Sequence, residues 1–157
     1  MGSLFGQKLR YLRRRQHLTQ GELARCVALT SHAHVSNMEA SRSTPSLEII
    51  VAVANRFAIQ VTYLVREDVP VQASDQMEYQ RRSDAVPLGV AVFGLNLTRL
   101  RVQAGLTQAR LAAQLALGGH AHISLLENGH KLPSVELLLR VADRFGVTVD
   151  DLLTASG

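Results

Sequence analysis

Two histidine triplets, His32-Ala33-His34 and His120-Ala121-His122, carry the side chains most able to do chemistry, because imidazoles bind metals and move protons near neutral pH. If each triplet lies on a helix, residues two apart point about 200° from one another, so one ion is poorly served by such a pair. No metal and no cofactor is therefore expected. Glu39 and Glu127 are the nearest candidates for acid–base work, but no nucleophile, base or phosphate-cradling loop accompanies them. Helix-end or salt-bridge roles suit them better. Cys26, the single cysteine, sits among Leu23 and Val27 and reads as a structural or inert thiol rather than a redox switch. No enzyme constellation emerges, and the chain is expected not to be an enzyme.

The triplets are part of a larger recurrence. Phe5-Gly6, Leu18-Thr19-Gln20, His32-Ala33-His34, Ser36, Glu39, Pro45-Ser46 and Arg56-Phe57 all return 88 positions later, without a gap. One unit of about sixty residues has been duplicated whole. Units of that size bury a small fraction of their surface and need dense cores. With 4% aromatics and no tryptophan, those cores must come from Leu, Val, Ile and Ala, which points to an all-α protein of two tandem domains.

The net charge of +4 favours an anionic partner, and its distribution says more than its total. Residues 1–66 carry +6, residues 67–87 carry −3 and residues 88–157 carry +1. The first copy is the electropositive one. One cysteine cannot form an intrachain disulfide, and no apolar run of about 18 residues appears, so a cytoplasmic protein without membrane contact is expected.

Helical periodicity predicts five helices per copy. The first carries Leu4, Phe5, Leu9 and Leu12 on one face, with Lys8, Arg10 and Arg13 to Arg15 filling much of the remaining surface. In the second copy Val92, Phe93, Leu97 and Leu100 repeat the apolar face, while Asn96, Thr98 and Val102 replace Lys8, Arg10 and Arg14. Thr19 is a good N-cap for a second helix over 20–28, where Ala24, like Ala112 in the other copy, allows a close crossing. A short third helix bears Val35 and Met38, or Ile123 and Leu126. A fourth opens at Ser46 or Ser134 and runs to Phe57 or Phe145, and a fifth bears Val61 and Leu64, or Val149 and Leu152. Residues 4–66 and 88–154 are thus the expected domains. The polar stretch 67–87, with Pro70 and Pro87, is the expected connector, in which 75–83 could form a turn or two of helix.

A Thr-Gln opening one short helix, a second short helix with an apolar pair three apart, a Glu after that pair, and Pro-Ser-x-Glu before the next helix together resemble the helix-turn-helix family of lambda repressor and Cro, the Xre family. The resemblance covers nearly all of both copies. Both depart from the usual pattern by about one extra residue in the turn, near Leu29-Thr30-Ser31 and Leu117-Gly118-Gly119.

That resemblance implies double-stranded DNA as partner, with the third helix entering the major groove, where base edges present distinguishable patterns. It implies His32, Ala33, Ser36 and Asn37 as base readers in the first copy, with Gln20, Arg13, Arg14 and Arg42 towards phosphates; His34, two positions from His32, is expected to be partly packed. In the second copy it implies His120, Ala121, Ser124 and Leu125 as readers, with Gln108, His130 and Lys131 towards phosphates; His122 is expected to be partly packed. The Arg13 to Arg15 run is also readable as a solvated face. Two tethered heads can reach neighbouring half-sites about 34 Å apart, since a connector of some twenty residues extends to about 65 Å. A homodimer is also expected. A transcriptional repressor is the leading expectation. The competing one is a protein-interaction module, an antitoxin or antiactivator, with Leu125 and the near-neutral second copy meeting protein.

Overall fold

A computed structural model describes residues 2–75 and 88–155, and the chain divides into two compact units, Met1–Ala85 and Val86–Gly157. Unit 1 contains α1 (Gly2–Arg15), α2 (Gln20–Cys26), α3 (His32–Glu39), α4 (Leu47–Phe57), α5 (Val61–Val65) and a 3₁₀ turn, Val71–Asp75. Unit 2 opens with a 3₁₀ turn, Val90–Val92, followed by α6 (Phe93–Gln103), α7 (Gln108–Gln114), α8 (His120–Glu127), α9 (Val135–Phe145) and α10 (Val149–Leu153). No strand occurs among the described residues. The protein is all-α, with the same five-helix order in each unit.

Helix starts follow from capping chemistry. Thr19 accepts a hydrogen bond from the Glu22 amide while the Glu22 carboxylate accepts one from the Thr19 amide, which closes a capping box. These bonds, the backbone one first, hold the Glu22 carboxyl below its usual range. Ser46, Thr107, Ser134 and Thr148 cap α4, α7, α9 and α10 through their hydroxyls. α2 ends two residues before the expected Ala28, because Ala28 turns left-handed (φ 55°) and Leu29 returns its amide to the Ala24 carbonyl at 2.8 Å. Ala116 and Leu117 do the same in unit 2.

Each core is built on the predicted apolar faces. In unit 1, Phe5, Leu9, Leu12, Leu23, Val35, Met38, Leu47, Ile50, Val51, Ala54, Val61 and Leu64 are buried, and their unit 2 counterparts include Phe93, Leu97, Leu111, Ile123, Leu126, Leu138, Val149 and Leu152. Phe57 is buried at the end of α4, whereas Phe145 is half-buried. The connector departs from expectation: Val69 and Ala73 are buried, the Val71–Asp75 turn packs on α1, and the Tyr63 hydroxyl donates to the Val71 carbonyl at 2.5 Å. Residues 69–74 thus belong to the first unit, because two apolar side chains outweigh the polar composition around them. The remainder of the helical turn expected over 75–83 lies outside the described residues.

Lys8 also departs from the helical-surface expectation. Expected on the basic surface, it is fully buried, with Nζ donating to the carbonyls of Tyr63 (2.6 Å) and Arg66 (2.7 Å) and lying 4.9 Å from the Tyr63 ring centroid. It closes the C-terminal end of α5, where unpaired carbonyls favour a cation. In unit 2 neutral Asn96 has this task, donating its amide to the carbonyls of Asp151, Leu152 and Thr154 at 3.0–3.2 Å. Helical spacing places Lys8 between Leu4 and Leu12, and Asn96 between Val92 and Leu100, inside the apolar stripe; their polarity reads as surface until the distant carbonyls they reach are known.

Burial pushes the Lys8 pKa down to about 8 against the pull of Asp68 and Glu67. Between that value and 10.5 the unfolded chain holds more proton at this site than the folded one, so stability rises with pH through that window. The Lys8→Asn variant, copying unit 2, is expected to lose this dependence. Thermal unfolding followed at several pH values between 7.5 and 10.5 checks it: relative to the variant the natural protein gains stability as pH rises, and a constant gap would contradict the assignment.

Candidate nucleic-acid interface

The third helix of each unit is held by a three-residue polar network. Arg13 forks onto Glu39, Nε to Oε1 at 2.6 Å and Nη2 to Oε2 at 3.0 Å, while its Nη1 donates to the Leu18 carbonyl at 2.8 Å. Gln20 Nε2 donates to Glu39 Oε2 at 3.0 Å. Unit 2 repeats every bond: Arg101 to Glu127 at 2.5 and 3.1 Å, Arg101 to the Leu106 carbonyl at 2.9 Å, and Gln108 to Glu127 at 2.8 Å. The Arg13 and Glu39 side chains are only 12% and 5% exposed, so this is a largely desolvated bidentate pair. Hydrogen bonding to the carboxylates raises the pKa of both arginines.

The network joins the end of α1, the start of α2 and the end of α3. Arg13, expected to face phosphates, is instead consumed by Glu39. Glu39 and Glu127 take the salt-bridge role expected of them. Gln20 gives one amide hydrogen to Glu39 and keeps a second.

Backbone proximity locks the same joint. A Cβ on Gly6 would strike the carbonyl oxygen of Met38 and approach that of Glu39 to 2.9 Å, and one on Gly94 would meet those of Leu126 at 2.5 Å and Glu127 at 2.7 Å. Only glycine lets the first helix pass this close to the end of the third. The Phe-Gly pair recurs in both copies, which is the sequence signal of this close approach.

With Val35 and Met38 buried, α3 turns the exposed His32 and Ala33 and the half-buried Ser36 and Asn37 outwards. His34 is exposed rather than partly packed, its Nδ1 lying 3.4 Å from Thr30 Oγ1. In α8, Ile123 and Leu126 are buried, His120 and Ala121 are exposed, and His122 and Ser124 are half-buried. Asn128 donates to both the carbonyl and the hydroxyl of Ser124, at 2.9 and 3.3 Å. Leu125 stands 44% exposed where Asn37 stands in unit 1.

After α3 the chain reverses through left-handed Ser41 (φ 57°), and the Arg42 amide donates to the Asn37 carbonyl at 2.8 Å, leaving the Arg42 side chain exposed beside the helix end. Gly129 makes the corresponding turn in unit 2, with exposed His130 and Lys131 following. Cys26 is exposed, not packed among Leu23 and Val27. Among the described residues no group of three His, Cys, Asp or Glu side chains is placed to hold a metal ion.

A helix-turn-helix family model matches residues 9–64, and a second, described as a helix-turn-helix domain, matches residues 92–155. The chain belongs to the Xre-like helix-turn-helix family, in tandem. It is similar to the immunity repressor protein of Bacillus phage phi105, with 33% identity over 79 residues, which is 50% of this chain and 54% of that protein. The chain thus spans about half the length of this curated relative. No solved structure matches it. In these helix-turn-helix units α2–α3 and α7–α8 are the paired helices, and the Arg–Glu–Gln networks set their placement against the first helix.

Truncating Glu39 to Ala strands the Arg13 fork and one Gln20 bond in a nearly dry site, and is expected to cost about 2–4 kcal/mol. Gly6→Ala is expected to cost about 1–3 kcal/mol by overpacking. Urea unfolding with hydrogen exchange on α3 checks both; an unchanged midpoint and unchanged α3 protection would contradict the joint's importance.

Proposed function

We propose that this protein is a sequence-specific DNA-binding transcriptional regulator, a repressor, that reads the major groove with α3 and α8. The observation that carries this reading is the solvent face of α3, where short polar and small side chains project from a helix anchored at its far end. A helix of that width enters the major groove, and such side chains reach base edges. The similarity to a phage immunity repressor supports repression as the sign of regulation.

In this reading His32, Ala33, Ser36 and Asn37 meet bases, with Asn37 suited to adenine and Ala33 to a thymine methyl. Gln20, through its remaining amide hydrogen, and Arg42 meet phosphates, and Arg14 adds long-range attraction; Arg13 acts indirectly by placing α3. In unit 2, His120, Ala121, Ser124 and Leu125 face bases while Gln108, His130 and Lys131 face the backbone. The protein works in the cytoplasm, on the nucleoid when bound; no described helix is long and apolar enough to cross a membrane.

A second reading is favoured by where apolar surface is exposed. Leu95 (71%), Val102 (61%), Leu125 and Leu132 (42%) are large hydrophobic residues standing in solvent, and all four belong to unit 2. In this reading unit 1 binds DNA while unit 2 contacts protein, either a second copy of this chain or a regulated partner.

Selection of bound sequences from a random duplex library, followed by gel shifts at two salt concentrations, tests the proposal. A recovered consensus is expected, with affinity falling as salt rises and Asn37→Ala costing about 1–3 kcal/mol on that consensus. Failure to enrich any sequence overturns sequence-specific reading. Enrichment that is lost with Asn37→Ala but indifferent to Ser124→Ala and Leu125→Ala assigns recognition to unit 1 and favours the second reading.

A further inference from the structure

The side of α1 turned from the core carries Gln7, Arg10, Tyr11, Arg14 and Arg15, the three- and four-residue spacing of one helical stripe. With Val71 from the 3₁₀ turn beside α1, they line an open groove of about 390 Å³ whose walls are mainly apolar. The Arg15 guanidinium lies 5.9 Å from the Tyr11 ring centroid. Arg10 and Arg14 are exposed, and among the described residues neither has an ion-pair partner. Like charges one turn apart repel, so this face carries an electrostatic cost that an anion would relieve.

The fold does not require that charge. In unit 2 the same positions hold Leu95, Thr98, Arg99, Val102 and Gln103, and the helix keeps its buried face and its Arg101–Glu127 bond. The groove also stands apart from the proposed reading helix, since no residue of α2 or α3 lines it.

We propose that this groove docks an acidic amphipathic helix of a protein partner. A large apolar side chain seats against Tyr11 and Val71, and carboxylates one turn to either side pair with Arg10 and Arg14. Carboxylate matches the guanidinium fork, and an apolar residue fills walls that a phosphodiester backbone would leave empty. The proposal is independent of whether α3 reads DNA.

Fluorescence anisotropy with the full chain and a labelled helical peptide of about 14 residues, carrying Leu pairs flanked by Glu at one-turn spacing, tests it. Affinity is expected to fall at least about tenfold in Arg10→Glu/Arg14→Glu, and similarly when the peptide's Leu residues become Ser. The milder Arg10→Gln/Arg14→Gln pair, checked for helicity by circular dichroism, is expected to weaken binding in the same direction and guards against misfolding of the reversal. Equal affinity for the Leu and Ser peptides, or peptide affinity unchanged in the Gln pair, overturns the proposal. Absence of peptide binding also overturns it, and weaker binding of random duplex by the Gln pair would then make the face a phosphate surface only.

Discussion

The ion pair between the end of the first helix and the end of the third governs the rest of each domain. Arg13–Glu39 and Arg101–Glu127 are bidentate, largely removed from water, and shared with the glutamine that opens the second helix. A desolvated pair of this kind contributes little net stability compared with an apolar replacement, but it tolerates few geometries. Its value is therefore orientation. The paired short helices have too few residues to hold an angle by themselves, and one carboxylate receiving three bonds sets it for them.

The glycine contact complements that pair. With Gly6 and Gly94 the first helix approaches the last carbonyls of the third closely enough for the arginine fork to reach its partner. Core residues such as Val35, Met38, Ile123 and Leu126 then fill the inner side of the third helix, so its other side is presented to solvent by necessity. Presentation of the candidate reading face is a consequence of packing, not of anything that face itself does.

Duplication makes the molecule its own comparison. The Thr-Gln opening, the glutamate and the glycine agree in both copies and serve the fold. Where the copies part, the fold is indifferent. Cationic Lys8 and neutral Asn96 satisfy similar carbonyls, and the outer faces of α1 and α6 differ at every lining position while their cores remain. The two units thus share a scaffold and offer different surfaces.

Helix order, the buried faces and the outward positions of the third helix were legible in sequence, because the 3.6-residue repeat of apolar side chains decides them locally. So were the Thr and Ser caps, which act within three residues. The fate of Lys8, Arg13 and Val69 to Ser74 was not legible. A lysine within an apolar stripe, or an arginine at its margin, does not show locally whether it meets water, a carbonyl or a carboxylate, and the partners here lie 26 to 58 positions away. Local sequence determined which elements form and which sides they bury. Tertiary packing alone decided which charges remain available to a partner, since desolvation and pairing depend on what the chain brings together from afar.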